Sequence, residues 1–374
     1  MASGIELWGG RECSVARVRA DYIHESSRTG DDGRPDDLDR FASGRGRDAL
    51  NAAATAADSG ARIRQMELGL VQWFPYGDVD RVRRVVRTLE RLGITHLRTM
   101  LSWADWCRSD GPAWLELMID ELDGIDVLPV LHATPPSFGE KPYTSSVPHD
   151  LGYYAYFVRW VCERFDGRLT HVQLWNEPTT WCDWDRDADK WWKRFAEMLT
   201  YAAAEAKLGG KQAVLAGISP PDGLLLGGGD TDVPHFLDII ESEGALADID
   251  VIAFHGFPGT PHWSQGWAGW EDEIAAISAW AQARAKATWI TETGCSRLMP
   301  ASRCAELRRV VEAASAGGVE RVYWYSVEDV DWKALREINL DWGADLHDYA
   351  TGLTPDLERE ITRIVRTKVS RDGG

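Results

Sequence analysis

From residue 66 onwards the chain alternates strand-like and helix-like segments, and this alternation restricts the folds that it can adopt. MELGLVQ at 66–72 predicts a strand, and DVDRVRRVVRTLERLG at 78–93 predicts a helix that Gly93 closes. One helical stripe of this second segment carries Val79, Val82, Val86, Leu89 and Leu92. ITHLRTML at 94–101 predicts the next strand, so the three segments form a β-α-β unit.

The same rhythm continues for about 260 residues. Strand-like segments lie at 66–72, 94–101, 126–132, 169–175, 213–219, 249–255, 287–292 and 321–327. Helix-like patterns separate most of them, around Tyr153 to Val161 and at about 188–206, 271–284 and 302–315. Eight strands with intervening helices predict an α/β fold, the (β/α)8 TIM barrel. A doubly wound sheet is the alternative, but no GxGxxG turn follows the first strand.

The first 62 residues lack this rhythm. Residues 43–62, SGRGRDALNAAATAADSGAR, have no apolar periodicity beyond alanine, which is typical of a linker or a weak helix. We therefore predict an N-terminal extension and linker at 1–62, followed by the barrel at 63–374.

The charge of the chain argues against two classes of partner. A formal charge of −18 and a pI of about 4.9 would repel nucleic acid and anionic membranes, and we expect neither as a partner. No basic region followed by an apolar run opens the sequence, so we expect a cytoplasmic protein. The six cysteines form no CxxC pair and are expected to be free thiols. The sequence makes no prediction about the oligomeric state.

Polar residues stand at the ends of the predicted strands, where barrel folds place their active sites. The residues at these ends include Gln72, Arg98, His132, Asn176, Glu177, Ser219, His255, Glu292 and Trp324. A glutamate ends the fourth strand, in WNEP at 175–178, and another ends the seventh, in TET at 291–293.

Two carboxyl groups that face each other across a pocket suit the cleavage of a glycosidic bond. One protonates the leaving oxygen, while the other meets the positive charge that develops at the anomeric carbon. We therefore predict Glu177 and Glu292 as catalytic residues and a carbohydrate or glycoside as the substrate. The alternatives are a carboxylate that only suits a helix entry at Glu177, and a structural glutamate paired with Arg98 at Glu292.

The histidines at strand ends raise a different class of enzyme. His132 and His255 could ligate a metal in an amidohydrolase-like barrel. Such sites usually carry an HxH motif on the first strand, where this chain has Gln72 and Trp73. We favour a core or sugar-hydroxyl role for both histidines, and we predict no metal and no organic cofactor.

Nineteen tryptophans exceed what a core of this size needs, and flat amphipathic rings suit the faces of sugars. Five lie in the loops after strands four and six, where sugar stacking competes with ordinary loop packing: Trp181, Trp184, Trp263, Trp267 and Trp270. We predict Trp181 as a substrate-binding residue.

The WNEP and TET motifs resemble the acid/base and nucleophile signatures of clan A, the large clan of retaining (β/α)8 glycoside hydrolases. The resemblance covers about residues 66–355 and is nearest to family 39, the β-xylosidase and α-L-iduronidase group, with family 5-like enzymes next. It implies that Glu177 is the acid/base and Glu292 the nucleophile of a retaining mechanism with a covalent intermediate. It also implies that Asn176 binds the hydroxyl next to the anomeric centre and that the ring of Trp324 forms the floor of the sugar subsite.

Two further residues match the clan, Arg98 near the end of strand two and His255 on strand six. Together with His132 they complete the set of predicted substrate-binding residues. The clan's usual His-x-Tyr on strand six is here His255, Gly256 and Phe257, so the nucleophile would lack one hydrogen-bond donor. A β-xylosidase-like or related exo-glycosidase is the favoured function. A transglycosidase and a carbohydrate-binding barrel with weakened turnover stay open.

Residues 1–42 separately resemble the start of a different glycosidase group. IELWGGRECSVARV and DDLDRFA are similar to the opening of the family 1-like domains attached to some bacterial sugar-nucleotide reductases. The similarity ends near residue 42, and the segment is surplus to the eight strands counted after it.

Overall fold

A computed structural model describes residues 66–180, 182–219, 236–258, 269–295, 300–329 and 351–372. Within these ranges eight parallel strands follow one another in sequence order and close into a barrel. The strands are β1 (Glu67–Val71), β2 (His96–Ser102), β3 (Asp126–His132), β4 (His171–Asn176), β5 (Gln212–Gly217), β6 (Val251–Gly256), β7 (Ala287–Thr293) and β8 (Arg321–Tyr325). The predicted (β/α)8 barrel is confirmed. The predicted extension at 1–62 lies outside the described residues.

Helices connect the strands. Those in the described ranges are α1 (Val79–Leu92), α2 (Trp103–Trp106), α3 (Gly111–Glu121), α4 (Gly152–Arg164), α5 (Lys193–Leu208), α6 (Phe236–Ser242), α7 (Trp270–Gln282), α8 (Pro300–Ala316) and α9 (Pro355–Asp372). Among these described segments, none combines the length and apolar character of a membrane-spanning helix.

The helix α1 shows how local sequence sets these elements. The side chain of Asp78 accepts a hydrogen bond from the backbone N–H of Arg81 at 3.0 Å and caps the first turn. Gly93 ends the helix in the left-handed conformation, with φ at 71°. The buried face consists of Val82, Val85, Leu89 and Leu92. It therefore differs from the predicted stripe, because Val85 is buried whereas Val79 and Val86 are only partly buried.

The interior of the barrel is filled by side chains that alternate along the strands. The buried cluster contains Val71, Trp73, Leu128, Val130, Val214, Val251, Ala253, Trp289, Tyr323 and Tyr325. Several members are two residues apart on one strand, as expected for side chains that share a face. Apolar groups fill most of this space, and the buried polar side chains of Arg98 and Gln173 lie among them.

Candidate active site

Arg98, at the middle of β2, organises the polar groups at the mouth of the barrel. Its side chain is fully buried and donates hydrogen bonds to three partners on two other strands. Nη1 donates to Oε1 of Glu292, Nη2 donates to Oδ1 of Asn176 at 2.8 Å, and Nε donates to Oε1 of Gln173 at 2.7 Å. The planar fork of a guanidinium suits this arrangement, which a lysine could not reproduce. Arg98 thereby ties β2 to β4 and β7.

The two predicted catalytic carboxyl groups share one pocket with His255. One carboxylate oxygen of Glu177, one of Glu292 and one ring nitrogen of His255 all lie within 4.8 Å of one another. Nδ1 of His255 is 2.6 Å from Oε1 of Glu177 and 3.9 Å from Oε2 of Glu292. The side chains of Glu177 and Glu292 are 14% and 9% exposed, so a small ligand could reach both.

The backbone of β4 departs from regular strand geometry in order to build this pocket. Residues three apart on a regular strand point to opposite faces, yet Gln173 and Asn176 both bind Arg98. Between them Trp175 adopts a positive φ of 75°, and Glu177 follows with a φ of 31°. Such backbone conformations cost roughly 1–3 kcal/mol at a non-glycine residue and cluster at functional sites.

The strand β7 departs from regular geometry in a similar way. Thr291 and Glu292 are neighbours and should point to opposite faces, but both contact residues of the pocket. The pairing of β7 with β8 shifts register between Ile290 and Thr293, which is typical of a β-bulge. The irregularity therefore allows the TET motif to contribute two side chains to the site.

Burial gives the groups of the pocket distinct protonation states. Burial raises the pKa of Glu177 from 4.5 to about 7, and the charge of Arg98 opposes this rise. Burial also lowers the pKa of His255 to about 3, so the imidazole is neutral at physiological pH. The pocket thus combines a carboxyl group that keeps its proton near neutrality with a neutral imidazole.

Asp183, which the sequence argument did not select, is a third buried carboxyl group beside the site. Its Oδ1 accepts a hydrogen bond from Nδ2 of Asn176 at 3.3 Å and lies 3.3 Å from Nε2 of His132. Burial, followed by the charge of Glu177, raises its pKa to about 8. Arg98 and Asp183 therefore hold the two ends of the Asn176 amide, which fixes the direction of its oxygen and nitrogen. The only signal in the sequence was an acidic residue six positions after Glu177.

The structure brings together Arg98, Asn176, Glu177, His255 and Glu292. His132 lies one step away, because it contacts Asp183 and the edge of the Trp175 ring instead of the glutamates.

Trp324 does not join the site. It is fully buried and alternates along β8 with Tyr323 and Tyr325, which belong to the barrel interior. The expected role in flooring a sugar subsite therefore does not fit Trp324, and Tyr325 is the aromatic residue of β8 on the interior side. Burial, followed by the charge of Glu292, raises the pKa of the Tyr325 phenol. Its ring contacts Phe257 at a centroid distance of 6.1 Å.

Two of the other candidate tryptophans are packing residues, and three lie outside the part of the chain that the structure describes. Trp184 and Trp270 are fully buried, and Trp184 packs edge-on against Trp175, so ordinary packing explains both. Trp181, Trp263 and Trp267 lie outside the described residues.

A cation site was the main enzymatic alternative, and the pocket offers only part of one. Glu177, His255 and Glu292 could each supply a ligand atom. However, the guanidinium of Arg98 already contacts Glu292, and its positive charge would repel a second cation there. The donor set fits a pair of carboxyl groups, one of them held by Arg98, better than it fits a metal.

Comparison with known proteins places the chain by its fold. No protein-family model and no curated protein matches it. Among solved structures, a family 39 glycoside hydrolase from the gut symbiont Bacteroides cellulosilyticus WH2 is 18% identical with a TM-score of 0.57, and the match covers 81% of this chain and 64% of that one. The exo-β-1,4-mannosidase Op5Man5 from Opitutaceae bacterium strain TAV5 is 16% identical with a TM-score of 0.58, covering 82% and 60%.

A third solved structure matches over nearly its whole length. The endo-1,4-β-mannanase from Rhizomucor miehei is 14% identical with a TM-score of 0.58, covering 82% of this chain and 95% of that one. The chain spans less than two thirds of the first two structures. At these identities the likeness shows the fold, and the expected resemblance to the (β/α)8 barrels of clan A glycosidases is confirmed at that level.

Proposed function

We propose that this protein is a retaining glycoside hydrolase, with Glu177 as the acid/base and Glu292 as the nucleophile. The observation that carries the proposal is the approach of the two carboxylates to within 4.8 Å across the mouth of the barrel. Retaining enzymes hold their carboxyl groups about 5–5.5 Å apart, whereas inverting enzymes need about 6.5–9.5 Å to admit a water molecule. The short separation supports retention.

The contacts of each glutamate support its role. Glu292 is paired with Arg98 through Oε1, so Oε2 is the oxygen that would attack the anomeric carbon. Glu177, whose pKa is raised to about 7, would donate its proton to the departing oxygen as the glycosidic bond breaks. The resulting Glu177 carboxylate would then take a proton from water, whose oxygen displaces Glu292 and releases the sugar. Asn176, oriented by Arg98 and Asp183, would bind the neighbouring hydroxyl.

Two alanine variants test these roles. Glu292→Ala should abolish turnover of aryl glycosides, and added azide should restore turnover with a glycosyl azide of inverted anomeric configuration. Glu177→Ala should keep most of the rate of the first step with dinitrophenyl glycosides, whose leaving groups need no acid. It should lose most of that rate with glycosides that have poor leaving groups. Glu90→Ala, at an exposed position of α1, is the matched control and should behave as the wild type. Retained activity in Glu292→Ala would remove it as nucleophile.

The sugar is best sought with a panel of aryl β-xylosides, β-mannosides and β-glucosides, because family 39 and mannoside-active enzymes share this fold. Proton NMR of the first product anomer would show retention or inversion. A panel without any turnover, but with sugar binding by calorimetry, would instead indicate a carbohydrate-binding barrel. Activity that chelators abolish and added metal restores would indicate a metal-dependent hydrolase.

A further inference from the structure

A continuous chain of hydrogen bonds connects Arg98 to the acid/base through three intermediate side chains. Nε of Arg98 donates to Oε1 of Gln173 at 2.7 Å, and Nε2 of Gln173 donates to Oγ1 of Thr291 at 3.1 Å. Oγ1 of Thr291 lies 3.0 Å from Nε2 of His255, and Nδ1 of His255 lies 2.6 Å from Oε1 of Glu177. Gln173, Thr291 and His255 are each fully buried.

The direction of the first bonds follows from the chemistry of the groups. A guanidinium can only donate, so the atom of Gln173 that faces Arg98 must be the amide oxygen. The amide nitrogen then has two protons, which go to the backbone oxygen of Leu215 and to Oγ1 of Thr291, both at 3.1 Å. The orientation of the Gln173 amide is therefore fixed by its neighbours.

The direction of the remaining bonds follows from the single proton of the Thr291 hydroxyl. This hydroxyl accepts from Gln173, so its own proton is free to be donated. Within the described residues its other hydrogen-bond partner is Nε2 of His255, which must then be the unprotonated ring nitrogen. The imidazole is neutral because burial lowers its pKa to about 3, so its one proton is on Nδ1. That proton points at Oε1 of Glu177.

We propose that Gln173 and Thr291 are positioning residues that hold His255 in the Nδ1-protonated tautomer, so that the acid proton of Glu177 sits on Oε2. The inference rests on the proposed function of Glu177. Oε1 accepts from His255, and Oε2 carries the proton towards the leaving oxygen. The opposite tautomer would present a lone pair at Nδ1. That lone pair would accept the acid proton of Glu177 and compete with the glycosidic oxygen.

The tautomer can be measured directly and without substrate. Long-range ¹H–¹⁵N correlation spectra of protein labelled with ¹⁵N-histidine distinguish Nδ1–H from Nε2–H rings, and the spectrum of His255→Gln assigns the signal. We expect the Nδ1–H form in the wild type and in Thr291→Ser, which keeps the hydroxyl. In Thr291→Val, which lacks the hydroxyl, the Nδ1–H form should no longer be the main tautomer of His255. Gln173→Glu should reverse the tautomer, because the hydroxyl would then donate to a carboxylate.

Kinetics test the consequence for catalysis. Thr291→Val should lower kcat/KM about tenfold or more for glycosides with poor leaving groups, and change it little for dinitrophenyl glycosides. Thr291→Ser should follow the wild type on both. An Nε2–H ring in the wild type, or an unchanged Nδ1–H ring in both Thr291→Val and Gln173→Glu, would overturn the proposal. Because the spectra need no turnover, failure of the glycosidase assignment alone would leave the tautomer result standing.

Discussion

Removal of the Glu177 charge should stabilise the protein at alkaline pH and have little effect at acid pH. Burial raises the pKa of this carboxyl group from 4.5 to about 7, so the folded protein keeps a proton that the unfolded chain releases in this window. Folding therefore becomes less favourable as the pH rises from 4.5 to 7. The difference of about 2.5 pH units corresponds to about 3 kcal/mol above pH 7, and to less than about 1 kcal/mol at pH 5.

Glu177→Gln keeps the shape of the side chain and an acceptor oxygen for His255, but it carries no charge. We expect its free energy of unfolding to exceed that of the wild type by about 3 kcal/mol at pH 8 and by less than about 1 kcal/mol at pH 5. Asp183 acts in the same direction, because the charge of Glu177 contributes to its raised pKa. Urea titrations at both pH values measure the difference, with linear extrapolation to water.

The matched control is Glu90→Gln on α1, where the side chain is exposed, and it should change the free energy of unfolding by less than about 0.5 kcal/mol at either pH. Equal stability of Glu177→Gln and wild type at pH 8 would refute the reasoning, as would a difference that is the same at pH 5 and pH 8. Either result would mean that Glu177 is ionised in the folded protein at neutral pH and is unsuited to donate a proton.

Four further outcomes follow from the same geometry. kcat/KM for glycosides with poor leaving groups should fall above about pH 7 as Glu177 loses its proton, and a flat profile to pH 9 would contradict this acid role. Gly217→Ala should cost more than about tenfold in kcat, because its Cβ would lie 1.9 Å from Nε2 of His255, and unchanged activity would mean that the ring is not held there. Asn176→Ala should lower kcat/KM about a hundredfold for ordinary glycosides and far less for 2-deoxy glycosides. Equal losses of kcat/KM on both substrates would argue against contact between Asn176 and the hydroxyl next to the anomeric centre. Tyr325→Phe should lower kcat several-fold, because the phenol is near enough to Glu292 for the charge of that carboxylate to raise its pKa, and wild-type kinetics would mean that the phenol does not act on Glu292.

The strands were the most predictable part of this chain, and the helices were predicted less completely. Strand segments in a barrel are buried runs with clear boundaries, so all eight were found from hydrophobic pattern. The helices α2, α3, α6 and α9 were not predicted. The helices α2 and α6 are short, whereas α3 buries Trp114, Leu115, Met118 and Ile119 at helical spacing and α9 follows the last predicted strand. The helix expected from about residue 188 begins at Lys193, because the segment before it forms turns and Trp192 has a φ of 51°.

The site was predictable where it depended on strand ends and unpredictable where it depended on departures from regular strands. Glu177 and Glu292 could be selected, and they share one pocket, because the carboxyl end of a parallel barrel gathers such residues. The positive φ at Trp175 and the bulge in β7 decide which neighbours turn inwards, and neither follows from hydrophobic pattern. The same one-residue sensitivity explains why Tyr325, and not the expected Trp324, belongs to the interior cluster.

A single buried cation can account for the difference between the two glutamates. Arg98 contacts Glu292 directly, which gives that carboxylate a charge partner. Its hydrogen-bonded connection to Glu177 runs through Gln173, Thr291 and a neutral His255, and its charge opposes the rise in the pKa of Glu177 without cancelling the effect of burial. Both carboxyl groups are buried to a similar degree, so burial alone would treat them alike. The direct contact of Arg98 with Glu292, and its indirect connection to Glu177, is therefore the difference that suits the two carboxyl groups to the separate roles proposed for them.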